Sequence, residues 1–332
     1  MGTGSLKLAE WRTNEYIKLE KFADYCPPDA PWSGFAGDKT VSFETATFYF
    51  INDDSTRVAA ALTGEYDLVS NINYDNLGEF EGADNVALTE GEYSLGGLIF
   101  IKKEGSGSYA EDPKFRLAVS TALDIDEIVA AQVPDKNYYT LESQYMAPFQ
   151  KAWSTDVGDA YYNVKDIEKA KAYLAESSYD GGDVVMVTTQ EYPHMYNGTL
   201  VIQKQLEAIG IKVKVDVMDW ATMLTRINEP ETLDMFVSAF GISPIPGTLL
   251  FLSPVRTGFT NNSELNDIFT QMNAAATMEE AQNLWIKGPE IAYQSAEYVP
   301  LGHRYYVVAT SDKVKNYKSF LGVTIWGMEV TE

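Results

Sequence analysis

A strand–helix–strand pattern in the second half of the chain constrains the fold most strongly. Residues 211–217 alternate strictly between apolar and charged side chains, which is typical of a half-buried strand. A second strand is predicted over 183–189, and the residues between the two predict a helix that runs to Ala208 and stops at Gly210. Such a unit places its strands parallel, with the helix packed on one face of the sheet. The pattern therefore indicates an α/β fold.

The chain is long enough for more than one domain. It has 332 residues, of which 45% are apolar, and at about 150 residues per domain this length predicts about two. The start and the end are rich in predicted strands, two of which cover 85–89 and 95–102. A helix is predicted from Asp54 to about Leu62, with Gly64 as its C-terminal stop. In the middle, helices and strands alternate. We expect a discontinuous first domain with a second domain inserted into it, and a flexible stretch at 105–108, which reads Gly-Ser-Gly-Ser.

Charge and residue counts exclude several classes of function. Lys and Arg number 25 and Asp and Glu number 48, which gives a formal charge of −23. Binding to nucleic acid or to anionic lipid needs a basic surface, so neither partner is expected. The charge favours solubility, with attraction of a cationic ligand as the alternative. A single cysteine, Cys26, and two distant histidines predict neither an intrachain disulfide nor a metal or cofactor site.

Catalytic motifs are missing from the sequence. There is no phosphate-binding loop and no GxSxG nucleophile motif. Asp124, Asp126 and Glu127 stand close together, but a capping box at a helix start explains them. With 48 acidic residues, a carboxylate-based glycoside hydrolase stays open as an alternative, and no catalytic residue is predicted.

A few side chains suit ligand contact better than core packing. Tyr145 and Phe149 belong to an aromatic cluster that predicts a loop, and exposed loop aromatics favour ligand binding. His303 and Arg304 indicate either a ligand contact or the polar face of an edge strand. His194 follows Pro193 near a helix start and is expected to be a surface or capping residue.

Short segments spread along most of the chain carry a family resemblance through their order and spacing. They are residues 2–8 with Trp11, 17–20, 24–25, 54–62, 64–68, 115–118, 122–124, 167–175, 205–213, 219–222 and 234–236. In this order they resemble the family 5 extracellular solute-binding proteins, which are dipeptide, oligopeptide and nickel receptors of ABC importers.

The resemblance implies a two-lobed periplasmic-binding-protein-like fold. On this mapping the N-terminal part of the first lobe and an accessory domain are missing. Residues 1–95 and 306–332 would form the rest of the first lobe, and 96–305 would form the second. No secretory signal follows Met1, and we expect the chain to be the C-terminal portion of a receptor.

The implied function is ligand capture without catalysis. The lobes would close around a peptide or peptide-like solute and deliver it to an ABC transporter permease, at the extracellular face of the cell envelope or in the periplasm. A complete receptor would be a monomer. A ligand-free interaction module remains an alternative. Direct nickel binding is disfavoured because the chain has only two histidines. Nickel carried by a chelator stays possible.

One departure from the family pattern bears on the ligand. Peptide-binding members often carry an Asp for the ligand's amino group in the loop that corresponds to 241–247, and here that loop has no acidic residue. A buried ammonium without a partner is costly, so a free amine is not expected there. Backbone carbonyls and Ser243 remain available. Arg256 or Arg304 could hold a carboxylate, with a solvent-exposed side chain as the alternative for either arginine. The predicted ligand contacts are Tyr145, Phe149, Trp220, Ser243, His303 and Arg304.

Overall fold

The computed structural model describes residues 2–228, 233–253, 259–260 and 262–331. Its strands are β1 (Leu6–Arg12), β2 (Tyr16–Lys21), β3 (Thr45–Tyr49), β4 (Leu68–Ile72), β5 (Val86–Phe100), β6 (Tyr139–Thr140), β7 (Asp183–Thr188), β8 (Lys212–Val217), β9 (Met235–Gly241), β10 (Tyr298–Ser311), β11 (Val314–Lys315) and β12 (Glu329–Val330). Its α-helices are α1 (Asp54–Thr63), α2 (Pro113–Ala122), α3 (Ile125–Gln132), α4 (Ile167–Ala175), α5 (Pro193–Glu207), α6 (Trp220–Asn228), α7 (Ser263–Ala274), α8 (Met278–Trp285) and α9 (Lys287–Gln294).

The chain divides into two compact units. Unit 1 comprises Met1–Tyr93 and Tyr305–Glu332, and unit 2 comprises Ser94–Arg304. Strands β5 and β10 each contribute residues to both units. The shorter unit is therefore discontinuous in sequence, and the longer one is a single segment.

Unit 1 contains a three-stranded antiparallel sheet in the order β1-β2-β3. Its helix α1 begins where the sequence predicts, because the Asp53 side chain accepts a hydrogen bond from the backbone N–H of Thr56 at 2.7 Å. The helix ends at Gly64, whose φ of 70° is left-handed, so the predicted glycine stop is confirmed.

Unit 2 is built on the sheet order β5-β9-β7-β8. Strand β7 is parallel to both β8 and β9, whereas β5 is antiparallel to β9. Helix α5 connects β7 to β8, which confirms the predicted parallel unit. Neighbouring strand residues belong to two separate apolar clusters: Ile99 and Phe236 pack in one, and Leu98 and Val237 pack in the other. This alternation places a core on each face of the sheet.

Two local predictions are wrong. The separate strands predicted over 85–89 and 95–102 are one continuous strand, β5, because the polar stretch between them is also extended. The stretch 105–108 is a turn held by hydrogen bonds, since the Glu111 carboxylate accepts from Gly105 N, Ser106 Oγ and Gly107 N at 3.0–3.1 Å. Composition indicates flexibility there, but a nearby carboxylate orders the backbone.

Candidate functional site at the carboxyl edge of the unit-2 sheet

Parallel pairing gathers three strand ends at one edge of the unit-2 sheet. The carboxyl ends of β7, β8 and β9 are Thr188, Val217 and Gly241, and they share an edge because the strands are parallel. Ser94 of β5 pairs with Gly241 and reaches the same edge. We call it the carboxyl edge. Open α/β sheets bind ligands in the crevice outside such an edge.

Strand β10 also reaches the carboxyl edge. It neighbours β5 in the sheet, and a Cβ atom at Gly96 would lie 3.6 Å from the carbonyl oxygen of Gly302. His303 and Arg304 follow directly in sequence. The pairing therefore brings them level with the beginning of β5 in unit 2.

Trp220 sits at the carboxyl edge in an aromatic group. It begins α6 just after β8 and is half-buried. Its ring meets that of Tyr192 edge to face, with centroids 5.0 Å apart, and its backbone N–H donates to Glu191 Oε1 at 3.1 Å. Sequence reasoning missed Glu191 and Tyr192. Their position directly after β7 could have revealed them, because the ends of parallel strands meet.

Phe149 and Ser243 lie on two loops that Gln150 joins. The side-chain amide of Gln150 donates from Nε2 to the Ser243 carbonyl at 2.8 Å and accepts from the backbone N–H of Ala147 at 2.9 Å. The Phe149 side chain is 58% exposed, as predicted for a loop aromatic. The Ser243 hydroxyl donates to the Thr248 carbonyl at 3.2 Å. The sequence suggested that backbone carbonyls of this loop and Ser243 are available to a ligand, but the Ser243 carbonyl already accepts a hydrogen bond within the protein.

His303 and Arg304 are buried, with 2% and 3% of their surface exposed. Strand β10 pairs with β6 at His303 and also neighbours β5, so the interpretation as an edge strand is wrong. The alternative of a solvent-exposed Arg304 is wrong for the same reason. His303 Nδ1 lies 3.3 Å from Glu142 Oε1. The other candidate arginine, Arg256, lies outside the described residues.

His194 is another residue whose predicted place is wrong. It is 8% exposed within α5, whereas the sequence suggested the surface. Burial and the positive charge of Arg304 hold the pKa of His194 well below its usual value. The charge of Arg304 therefore acts on the imidazole of His194.

Tyr145 belongs to the core rather than to the carboxyl edge. It is 3% exposed, and its ring stacks on Tyr293 with centroids 5.1 Å apart. Phe251 and Tyr298 lie at 6.0 Å. The expectation that this loop aromatic is exposed is wrong, because the loop folds inward at Tyr145. Five of the six predicted contacts thus lie on the elements of the carboxyl edge or on the loop joined to it by Gln150.

The described residues contain no group of three or more His, Cys, Asp or Glu side chains that could hold a metal ion. Within the same residues, no helix combines the length and apolar character needed to cross a bilayer.

The fold and its carboxyl edge define the class of two-lobed periplasmic-binding-protein-like chains. The model of the bacterial extracellular solute-binding proteins, family 5 Middle, matches residues 1–262. The chain belongs to this family, and the resemblance seen in the sequence is confirmed.

Individual relatives are distant but align over most of the chain. The oligopeptide-binding protein AppA of Bacillus subtilis (strain 168) is 26% identical over 96% of this chain and 59% of its own length. The glutathione-binding protein GsiB of Escherichia coli (strain K12) is 22% identical over 91% of this chain and 58% of its own. This chain therefore spans somewhat under three-fifths of these curated relatives.

Solved structures agree on the fold. The binding protein AgaA from A. tumefaciens R10, in complex with agropinic acid, aligns with a TM-score of 0.79 and 22% identity. The alignment covers 99% of this chain and 67% of AgaA.

Proposed function

We propose that this chain is part of the ligand-capture component of an ABC importer. The observation that carries the proposal is that Trp220, Ser243, His303 and Arg304 lie on elements meeting at the carboxyl edge, where sheets of this kind bind ligands. Family membership supplies the class of protein. A transporter permease is the proposed partner, and the extracellular side of the membrane is the proposed location.

The proposed ligand is a peptide or a peptide-like solute. AppA is named for binding oligopeptides and GsiB for binding glutathione, which is itself a peptide. The loop 241–247 carries no carboxylate, so it offers no charged partner for a ligand ammonium. Arg304 is the proposed partner of a ligand carboxylate, because a guanidinium pairs with it through two hydrogen bonds. Phe149 and Trp220 would supply apolar contact, whereas the surroundings of Tyr145 assign it to core packing.

Units 1 and 2 are proposed to represent the partial first lobe and the second lobe. The predicted boundaries at 95/96 and 305/306 differ from those of the compact units by one or two residues. Capture by lobe closure, which the family resemblance implies, remains a prediction, as does the monomeric state.

We propose no catalytic activity for the chain. The acidic residues that stand close together in the sequence have structural roles: as expected for a capping box, Asp124 accepts a hydrogen bond from the backbone N–H of Glu127 at 3.2 Å and caps α3. Asp126 pairs with Lys165 and accepts from Asn163. These contacts tie the carboxylates to the ends of helices and loops, which accounts for the cluster without chemistry.

Four versions of one tripeptide test the proposed ligand class. They are the free peptide, its N-acetylated form, its C-amidated form and the doubly blocked form, each titrated against the chain by calorimetry. We expect N-acetylation to leave the affinity within about twofold, because loop 241–247 has no acidic partner, and C-amidation to weaken binding at least tenfold (about 1.4 kcal/mol).

The outcomes separate the parts of the proposal. Strong loss on N-acetylation would contradict the role given to the acid-free loop. Equal binding of all four forms would contradict the role of Arg304. Failure of every peptide, with a cooperative unfolding transition retained, would reject peptide capture by this chain and favour a ligand-free interaction module.

A further inference from the structure

A cavity of about 170 Å³ lies in unit 2, away from the carboxyl edge. Its walls come from α2, residues 160–164, α4 and the connection from α9 into β10. The cavity touches β10 at its first three residues, Tyr298, Val299 and Pro300, whereas Arg304 lies four residues beyond Pro300. At about 3.3 Å per residue, the two places are separated by about 13 Å along the strand. The cavity is therefore distinct from the proposed peptide site.

The walls of the cavity are rich in aromatic rings. Tyr161 and Tyr293 line it as a stacked pair, with centroids 5.8 Å apart and an interplanar angle of 17°. The rings of Tyr162 and Tyr173 also line it. Such rings favour a flat apolar ligand that stacks or packs edge to face.

The charge of the lining differs from that of the whole chain. The protein has a net charge of −23, yet among the described lining residues none is acidic and one, Lys169, is cationic. The Lys169 ammonium lies 5.8 Å from the centre of the Tyr173 ring. The cavity therefore disfavours a cationic ligand and offers an anion one positive partner beside an aromatic wall.

Two lining residues have a left-handed backbone although neither is glycine. They are Asn163, with a φ of 53°, and Ala296, with a φ of 46°. Asn163 is fixed by Oδ1, which accepts from the backbone N–H of Ile125 at 2.9 Å, and the Ala296 carbonyl accepts from Arg116 Nε at 3.1 Å. Conformations of this kind persist where the surroundings over-determine them, and they concentrate at ligand clamps. The walls are thus held in shape by hydrogen bonds to the start of α3 and to Arg116.

The volume sets the size of the occupant. An engineered apolar cavity of about 150 Å³ binds benzene, so this one accommodates a single aromatic ring. We propose that the cavity binds a single-ring aromatic carboxylate, with its ring against the tyrosines and its carboxylate toward Lys169. This site is independent of the proposed peptide capture.

Fluorine NMR with 4-fluorobenzoate tests binding in solution, and a crystal soaked with 4-bromobenzoate locates it by anomalous scattering. We expect saturable binding with a Kd of about 1 mM or tighter, and a bromine peak inside the cavity. Fluorobenzylamine, of similar size and opposite charge, is the ligand control and is expected to bind at least tenfold more weakly.

Matched variants connect the signal to this cavity. Ser120 lines it from α2, so Ser120→Phe fills the space and is expected to weaken 4-fluorobenzoate binding at least tenfold, whereas Ser120→Ala retains it. Lys169→Met is expected to weaken the carboxylate several-fold and to leave 4-fluorophenol unchanged. Should Ser120→Phe fail to fold, Tyr173→Ala removes one wall ring on the half-exposed side of α4 and is expected to weaken binding as well.

Three results would overturn the proposal. The first is a bromine peak elsewhere, or binding at crystal concentration only. The second is equal affinity for the amine and the carboxylate. The third is undiminished binding by a folded Ser120→Phe variant, or by Tyr173→Ala.

Discussion

Two buried charge clusters lie near opposite edges of the unit-2 sheet, and they differ in how completely their charges are enclosed. The lysine cluster (Lys102, Arg116 and Glu297) follows the end of β5 and is at most 1% exposed. The edge cluster (Glu142 and His303, with Arg304 next in sequence) lies at the carboxyl edge, and its carboxylate keeps 19% exposure.

The lysine cluster is closed by hydrogen bonds. Glu297 Oε1 lies 3.1 Å from Arg116 Nη2, and Glu297 Oε2 accepts from Thr260 Oγ1 at 3.1 Å. Lys102 Nζ donates to the Glu297 carbonyl at 2.7 Å. Two basic side chains thus share one carboxylate inside the core. Both carboxylate oxygens of Glu297 already have partners among the described residues. A buried charge therefore marks a candidate site only where the topology also brings the charged side chain to a ligand-binding edge of the sheet.

The largest expected effect comes from neutralising the carboxylate of the lysine cluster. Glu297→Gln leaves Lys102 and Arg116 buried without their shared counter-charge, and we expect a loss of about 3–5 kcal/mol in the free energy of unfolding. Urea unfolding followed by circular dichroism measures it. A loss below about 1 kcal/mol would show that the cluster is not a closed ionic unit.

The lysine cluster is also expected to make the stability of the protein depend on pH. Burial, aided by Arg116 and opposed by Glu297, lowers the pKa of Lys102 to about 7, from 10.5. Between these two values the unfolded chain binds more protons at this residue than the folded chain, so its contribution to stability rises with pH. Below about pH 7 the folded state carries the full cost of the buried ammonium.

Lys102→Met removes that dependence. We expect this rise in stability between pH 7 and 10 to disappear. At pH 7 we expect the free energy of unfolding of the variant to be between that of the wild type and about 4 kcal/mol above it. Urea titrations at several pH values measure both. An unchanged pH slope would place the titration on other groups.

At the carboxyl edge the expected effect falls on ligand affinity. Arg304→Lys keeps the charge but removes the planar fork that a carboxylate pairs with. We expect at least a tenfold loss of affinity for a peptide with a free carboxylate, about 1.4 kcal/mol, and little change for its amide. Arg12→Lys on the exposed face of β1 is the matched control and should leave both affinities unchanged.

The smallest effect is expected from the same substitution made in the edge cluster. Glu142→Gln removes one charge beside His303, but this side chain is 19% exposed and accepts a hydrogen bond from Thr140 Oγ1 at 3.0 Å. We expect a loss of about 0.5–1 kcal/mol, against the several kcal/mol at Glu297. Equal losses in the two urea titrations would erase the difference between the clusters.

Local signals in the sequence predict much of the fold. Asp53 and Gly64 define both ends of α1, and the alternation in β8 gives the parallel unit. These features depend on residues a few positions apart. Parallel pairing also follows from that unit, so the place of Trp220 at the carboxyl edge was within reach of sequence reasoning.

The burial of His303 and of Tyr145 could not be predicted from the sequence. His303 is enclosed because β10 pairs with β6, about 160 positions earlier in the chain, and no local pattern reports such a distant pairing. Tyr145 is buried by Phe251, Tyr293 and Tyr298, which come from three later segments. In both cases a polar or loop-like local sequence suggests exposure, and long-range packing decides otherwise.

The central claim is that the carboxyl edge of unit 2 holds the ligand, and a pair of tryptophan variants tests it most directly. Calorimetric titration of the free tripeptide is compared for Trp220→Ala and for Trp11→Ala, whose side chain is 64% exposed on β1 of unit 1. The account predicts at least a tenfold loss of affinity for Trp220→Ala and none for Trp11→Ala. Unchanged affinity in a folded Trp220→Ala variant, or equal losses in the two, would contradict it.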